Sequence, residues 1–185
     1  GVSTETSAEV DSGPPDPIPK TVGQASRDEF QKALDLIEPT NPDTGAAQSL
    51  LEALAAKHPE FHLAHHNLAV LYDRQVEHKK ASKAYRAALK AKPDYGPSVL
   101  GLVSLALRRD DKSKAEKLLE GFIAKFPKVW AVRAALARFR VEEGALDEAK
   151  REAISVLKGD ERNAEAMMVM GMMYRRLKQY ELSTL

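Results

Sequence analysis

Residues 62–95 read HLAHHNLAVLYDRQVEHKKASKAYRAALKAKPDY, and this stretch decides the fold. By their spacing Leu68, Ala69 and Tyr72 share one face of a first helix, Ala81, Tyr85 and Ala88 share one face of a second, and Pro93 closes the pair. The small residues let the two helices approach closely while the large ones fill the space around them. Working outward, the pattern recurs. Pro59, Pro93 and Pro127 stand 34 residues apart, each behind a basic helix end (AAKHP, LKAKP, IAKFP). Ala81, Ala115 and Ala149 repeat the same interval, as do Leu68, Leu102, Leu136 and Met170.

A helix–turn–helix period of 34 with small and large apolar residues at fixed offsets resembles the tetratricopeptide repeat, whose units stack into a right-handed α-solenoid. The resemblance implies an all-α fold with units at about 28–61, 62–95, 96–129 and 130–163 and a partial unit at 164–185. In the best copy His65 takes the place that the family gives to tryptophan. Residues 96–129 keep Leu102, Ala115 and Pro127 but set Val103 and Phe122 at small positions and Ala106 at the tyrosine position, an exchange of large for small. In 130–163 the segment EEGALDEA, residues 142–149, looks like the inter-helix turn, with Gly144 supplying backbone freedom, and Glu161 replaces the closing proline. Residues 28–61 form a degenerate first copy with Leu34, Ala47, Leu51, Leu54 and Pro59, interrupted by EPTNPDTG at 38–45, as expected of a cap. In the last copy Met167, Met170, Gly171 and Tyr174 match core positions of a first helix, and YELSTL at 180–185 would open a second. That face is then only partly covered, so either the solenoid runs on or this edge meets another chain.

The composition agrees with one globular body and a tail: 185 residues, 43% hydrophobic and 30% charged. With no cysteine, disulfides, thiolate metal sites and thiol nucleophiles are excluded, and compartment is left open. Residues 1–45 hold 3 basic and 9 acidic side chains, a balance of −6, and the remaining 25 basic and 18 acidic residues a balance of +7. An acidic arm therefore precedes a mildly basic body. Residues 1–25 are rich in Ser, Thr, Glu and Gly, and with Pro14, Pro15, Pro17 and Pro19 they read as an extended linker or tether. No basic segment followed by an apolar one opens the chain, so a signal peptide is expected to be absent or already removed. The longest apolar runs, such as Val99 to Leu107, are far too short to span a bilayer.

Candidate chemistry is sparse. His58, His62, His65 and His66 cluster, and His62 with His66 at i,i+4 could offer two nitrogens to a metal, but no carboxylate completes a set and helix packing is the competing reading. Asp110–Asp111, Glu142–Glu143 and Asp160–Glu161 lie at repeat turns, where acids cap the following helix. GxxxxGK[ST], GxGxxG and GxSxG are all missing from the chain, so no enzyme, cofactor or small-molecule substrate is expected. Lys79, Lys80, Lys83, Arg86, Lys90 and Lys92 form a strip that could track phosphates. With a single Trp and a net charge of +1 it reads instead as a solvated outer face, so no nucleic acid is expected. In the run AMMVMGMMY, residues 166–174, Met167, Met170 and Met173 fall on the packing side, and Met168 and Met172 fall on the inner side, where they could serve a ligand or the core.

The resemblance also implies a concave groove lined by the first helix of each unit. Its offsets select Leu63, His66, Val70 and Asp73 in the second unit and Pro97, Leu100, Ser104 and Leu107 in the third. In the fourth they select Ala131, Ala134, Arg138 and Val141, and in the fifth Glu165, Met168, Met172 and Arg175. Family members that clamp a C-terminal carboxylate do so with Lys, Asn and Arg. Here Lys32 and Asn67 match, but Leu36, Pro97 and Gly101 stand at the other offsets, so a clamp is not expected. An apolar floor edged by Arg138 and Arg175 suits an amphipathic helix or apolar peptide carrying an acid near each arginine. Finally, a Ser/Thr/Pro/acidic arm before such repeats is similar to bacterial envelope lipoproteins of this family, including those of gliding motility in myxobacteria and the type IV pilus pilotins. That implies an envelope or periplasmic setting with a lipid-anchored tether; a cytosolic scaffold is the alternative.

Overall fold

The computed structural model describes residues 17–37 and 43–183, with side chains through Gln179; residues 1–16 of the arm, the EPTNP part of the first turn and the side chains of YELSTL lie outside it. Among the described residues the regular structure is entirely helical. The first unit is α1 (Gln24–Asp35) with α2 (Thr44–Lys57), the second α3 (His62–Arg74) with α4 (His78–Ala91), and the third α5 (Gly96–Leu107) with α6 (Lys112–Lys125). The fourth pairs α7 (Trp130–Glu142) with α8 (Leu146–Gly159), and α9 (Ala164–Ser183) follows. Each first helix packs on its own second helix, and each second helix on the next first helix. Consecutive first helices from α3 onward also touch one another, whereas neighbouring second helices do not come together to the same degree. The first helices are therefore the inner layer and the second helices the outer one.

Expected core positions carry the packing. Leu68, Tyr72, Ala81, Tyr85 and Ala88 are all buried, as are Leu102, Ala115, Leu136 and Ala149. One apolar cluster fuses the first two units, a second joins α5 and α6 to α7, and a third joins α7 and α8 to α9. Each fully buried Leu or Phe, such as Leu51, Leu71, Leu119 and Phe61, contributes roughly 1.5–3 kcal/mol. The large-for-small exchange in the third unit is real packing, since Val103, Ala106 and Phe122 are all buried in the second cluster.

Three differences from the sequence reading have physical causes. First, the linker does not run free to residue 25: Val22 is buried and Ile18 packs on the first cluster, while Arg27 donates to the carbonyls of Val22 and Pro19. Two apolar residues in a polar stretch suffice to fold it against Phe30 and its neighbours. Second, α9 continues through 177–179, where a turn and a second helix were expected. The second, third and fourth units turn at residues with positive φ, Val76, Asp110 and Gly144, 34 apart; the corresponding Lys178 stays helical. Third, Met167 is half-exposed and Tyr174 is 63% exposed, although both sit at core offsets, because no second helix lies over α9 among the described residues.

Candidate functional site

The inner layer presents α3, α5, α7 and α9 side by side. On α3, Leu63 and Val70 are half-buried against the first cluster, and on α5 Leu100 and Leu107 lean in the same way on the second. On α9, Met172 packs against the third cluster, while Met168 keeps 47% of its surface. Ser104 and Arg175 are exposed. Val141 leaves the set: it is 1% exposed, buried with Ala149 and Val169, because α9 lies directly over that end of α7. Ala134, at another inner offset, is buried for the same reason against Ala166.

Polar groups tie neighbouring inner helices together. His66 on α3 shares a hydrogen bond of 3.0 Å between Nδ1 and the Ser98 hydroxyl of α5, and its ring meets Tyr95 edge-on at 5.2 Å between centroids. Burial, and secondarily the neighbouring His62, push the His66 imidazole down to about 4, so it is neutral at physiological pH. Arg108 of α5 pairs with Asp73 of α3 and also donates to Ser104. Arg138 of α7 pairs with Glu165 of α9 at 2.9 Å and lies 3.9 Å from Glu142. Its charge is thus met from within the molecule, whereas the Arg175 guanidinium has no ion pair or hydrogen bond among the described residues. The groove that results is an apolar floor crossed by internal ion pairs, with Arg175 at the α9 end meeting no partner among the described residues.

Other expected residues prove to be structural. The His65 imidazole bonds the Pro59 carbonyl at 3.1 Å and is driven toward its neutral form by burial, as its packing place implies. His62 is buried with its ring edge-on to Tyr95. Among the described residues no group of three His, Asp or Glu lies within reach of one metal ion. Asn67 donates to the Leu63 carbonyl of its own helix, and the Tyr85 ring covers Gly101, so two of the clamp offsets are occupied from inside. Asp111 does cap α6, accepting from the Lys114 amide, but neither Glu142 nor Glu143 caps α8, whose N-cap is Ala145. The sequence reading missed Arg140, which reaches Glu116, Glu120 and Glu148 and so joins α6, α7 and α8; these partners are scattered along the chain with no common spacing.

A family model described as tetratricopeptide repeat matches residues 41–96 and 100–159. No curated protein matches the chain. Among solved structures, the chain is similar to a tetratricopeptide repeat protein from Parabacteroides merdae, with TM-score 0.66 and 17% identity over 86% of this chain and 62% of that one. It therefore spans less than two thirds of that protein's length. The pilF protein of Pseudomonas aeruginosa superposes with TM-score 0.65 and 18% identity over 84% of this chain and 70% of that one. YrrB, described as a tetratricopeptide protein with an unusual peptide-binding site, gives TM-score 0.54 and 19% identity over 81% and 76%. At these identities the likeness concerns the fold. The 34-residue period, the stacked helix pairs and a family match over more than half of the sequence agree, and the chain belongs to the tetratricopeptide repeat family.

Proposed function

We propose that the chain is a non-enzymatic scaffold that holds an amphipathic helix or apolar peptide against its inner layer. Repeats of this family present extended inner surfaces to protein and peptide partners. The observation that carries the reading is the set of partly exposed apolar side chains on the inner helices α3, α5 and α9, Leu63, Val70, Leu100, Leu107, Met168 and Met172, with Arg175, which meets no partner among the described residues, at the α9 end. An apolar helix face would cover that run, with a carboxylate placed near Arg175. Arg138, neutralised by Glu165, acts as a strut between α7 and α9.

The test is capture of partners from native extract. Leu100 and Met172 lean on the core, so a charge there would also disturb the fold; the exposed Ser104 and Met168 make the cleaner probe. Ser104→Glu with Met168→Asp should abolish capture with the helical signal intact, and Lys83→Glu on the outer layer should leave capture unchanged. Undiminished capture by the double variant would remove the groove from the account. An envelope location, with the arm as a lipid-anchored tether in a trans-envelope assembly such as a gliding or pilus machine, rests on the character of the arm. A gene encoding a lipid-modified cysteine just before Gly1, with the native protein in the membrane fraction, is its test; a start codon directly before Gly1 would end it.

A further inference from the structure

The outer layer contains a feature that the groove does not use. Between α4, the end of α5 and the start of α6 lies a recess of about 60 Å³. That is room for several waters or for one tetrahedral oxyanion. Leu102, Leu105 and Leu118 give it an apolar floor, and Ser82, Arg86, Arg109 and Lys114 line it with a hydroxyl and three cations.

Among the described residues some cations are paired and others are not. Arg108, Arg133, Arg138 and Arg140 all meet carboxylates. The side chains of Arg86, Arg109 and Lys114, by contrast, have no hydrogen bond or ion pair among the described residues. The one carboxylate in the lining, Asp111, is turned to the start of α6, where it accepts from the Lys114 amide at 3.1 Å. His78, also in the lining, lies 3.5 Å from Asp73 through Nδ1. Three cations against one committed carboxylate leave a positive recess over an apolar floor, where an ionic hydrogen bond is stronger than in open water.

We propose that this recess binds a phosphate-type oxyanion, gripped by the Arg86 and Arg109 guanidinium groups with Lys114 and the Ser82 hydroxyl. A guanidinium fork matches two oxygens of such an anion, and a lysine adds a point charge. The small, recessed volume fits one phosphoryl group, free or on a flexible stem, better than a polymer backbone, which needs a long track of cations.

The experiment titrates the full chain with sodium phosphate at ionic strength held constant with sodium chloride, and follows backbone amide NMR shifts. Ser82, Arg86, Arg109 and Lys114 should shift saturably with a Kd in the millimolar range. Arg86→Gln with Arg109→Gln should weaken binding about ten-fold or more, whereas Lys83→Gln, on the same helix outside the recess, should not change it. Both arginines are exposed, so the double variant should fold, and its circular dichroism checks that. Phosphoserine as a second probe separates the sources: tighter binding than inorganic phosphate supports the site with a phosphoryl group on a stem, and equal binding supports it with the free ion. Shifts that do not saturate, that chloride reproduces, or that persist with the same Kd in the double variant overturn the proposal. Binding to anionic lipid vesicles with none to phosphate overturns it as well.

Discussion

Val76 stands at φ 62° with 70% of its surface exposed, a β-branched side chain held in the left-handed region with little packing in return. Val76→Gly should therefore stabilise the chain by about 1 kcal/mol, read as a higher urea midpoint at unchanged slope. Gly144, at φ 83° in the equivalent turn, should answer in the opposite sense when changed to Ala. His66 makes a second residue-scale prediction. Its imidazole is held down to about 4 in the fold by burial, and an unfolded histidine titrates near ~6.5. On acidification the unfolded chain takes up this proton first, so the contribution is complete above about pH 6.5 and is lost as pH falls toward about 4. Urea midpoints should rise from about pH 4.5 to about pH 7, and His66→Gln should flatten that rise; an identical slope in the variant would show that other groups carry it.

At the scale of the element, the close approach of helices is set by a few residues without side chains. The Tyr85 ring of α4 lies directly over Gly101 of α5, where a Cβ would collide with it. Gly101→Ala should cost about 1–3 kcal/mol, since the ring must leave its place between the second and third units. Gly121, in α6, has open space where its Cβ would be. Gly121→Ala should instead stabilise by about 0.5–1 kcal/mol through helix propensity alone. Thermal unfolding of the two variants side by side distinguishes contact from propensity, because both replace a helical glycine by the same residue.

For the whole molecule, stability passes from unit to unit. Val169 and Met173 of α9 complete the cluster holding Ala137, Val141, Ala149 and Ala153, and Ala166 completes the one holding Ala134 and Val156. Deleting residues 164–185 should therefore unfold more than α9: the helical circular dichroism signal should fall by more than the share of its 20 residues, as α7 and α8 lose the surface that covers them. A loss limited to α9 would mean that the fourth unit stands without its neighbour. Between the two layers, Arg140 of α7 should matter for the same reason. Arg140→Ala removes the shared partner of three carboxylates and should lower the melting temperature more than Arg175→Ala, which breaks no pair among the described residues.

The helix pairs and most of their core were legible in the sequence, because a period of 34 repeats the same contacts and so writes the same residue sizes at Leu68, Leu102 and Leu136, and at Ala81, Ala115 and Ala149. The left-handed turn residues repeat at that period too, yet Val76, Asp110 and Gly144 share no chemistry, since the backbone and not the side chain meets the requirement there. The groove was legible as a set of offsets but not as a surface. Whether Val141 or Met168 is exposed depends on where the next helix lies, and a residue cannot encode how far its neighbour extends. The same holds for charge. Arg138, Arg108 and Arg175 look alike in the sequence, and only the stacking of inner helices brings Glu165 to the first and Asp73 to the second, while the third meets no partner among the described residues. Periodicity records contacts that recur in every unit; contacts made once, between particular units, exist only when the chain is folded.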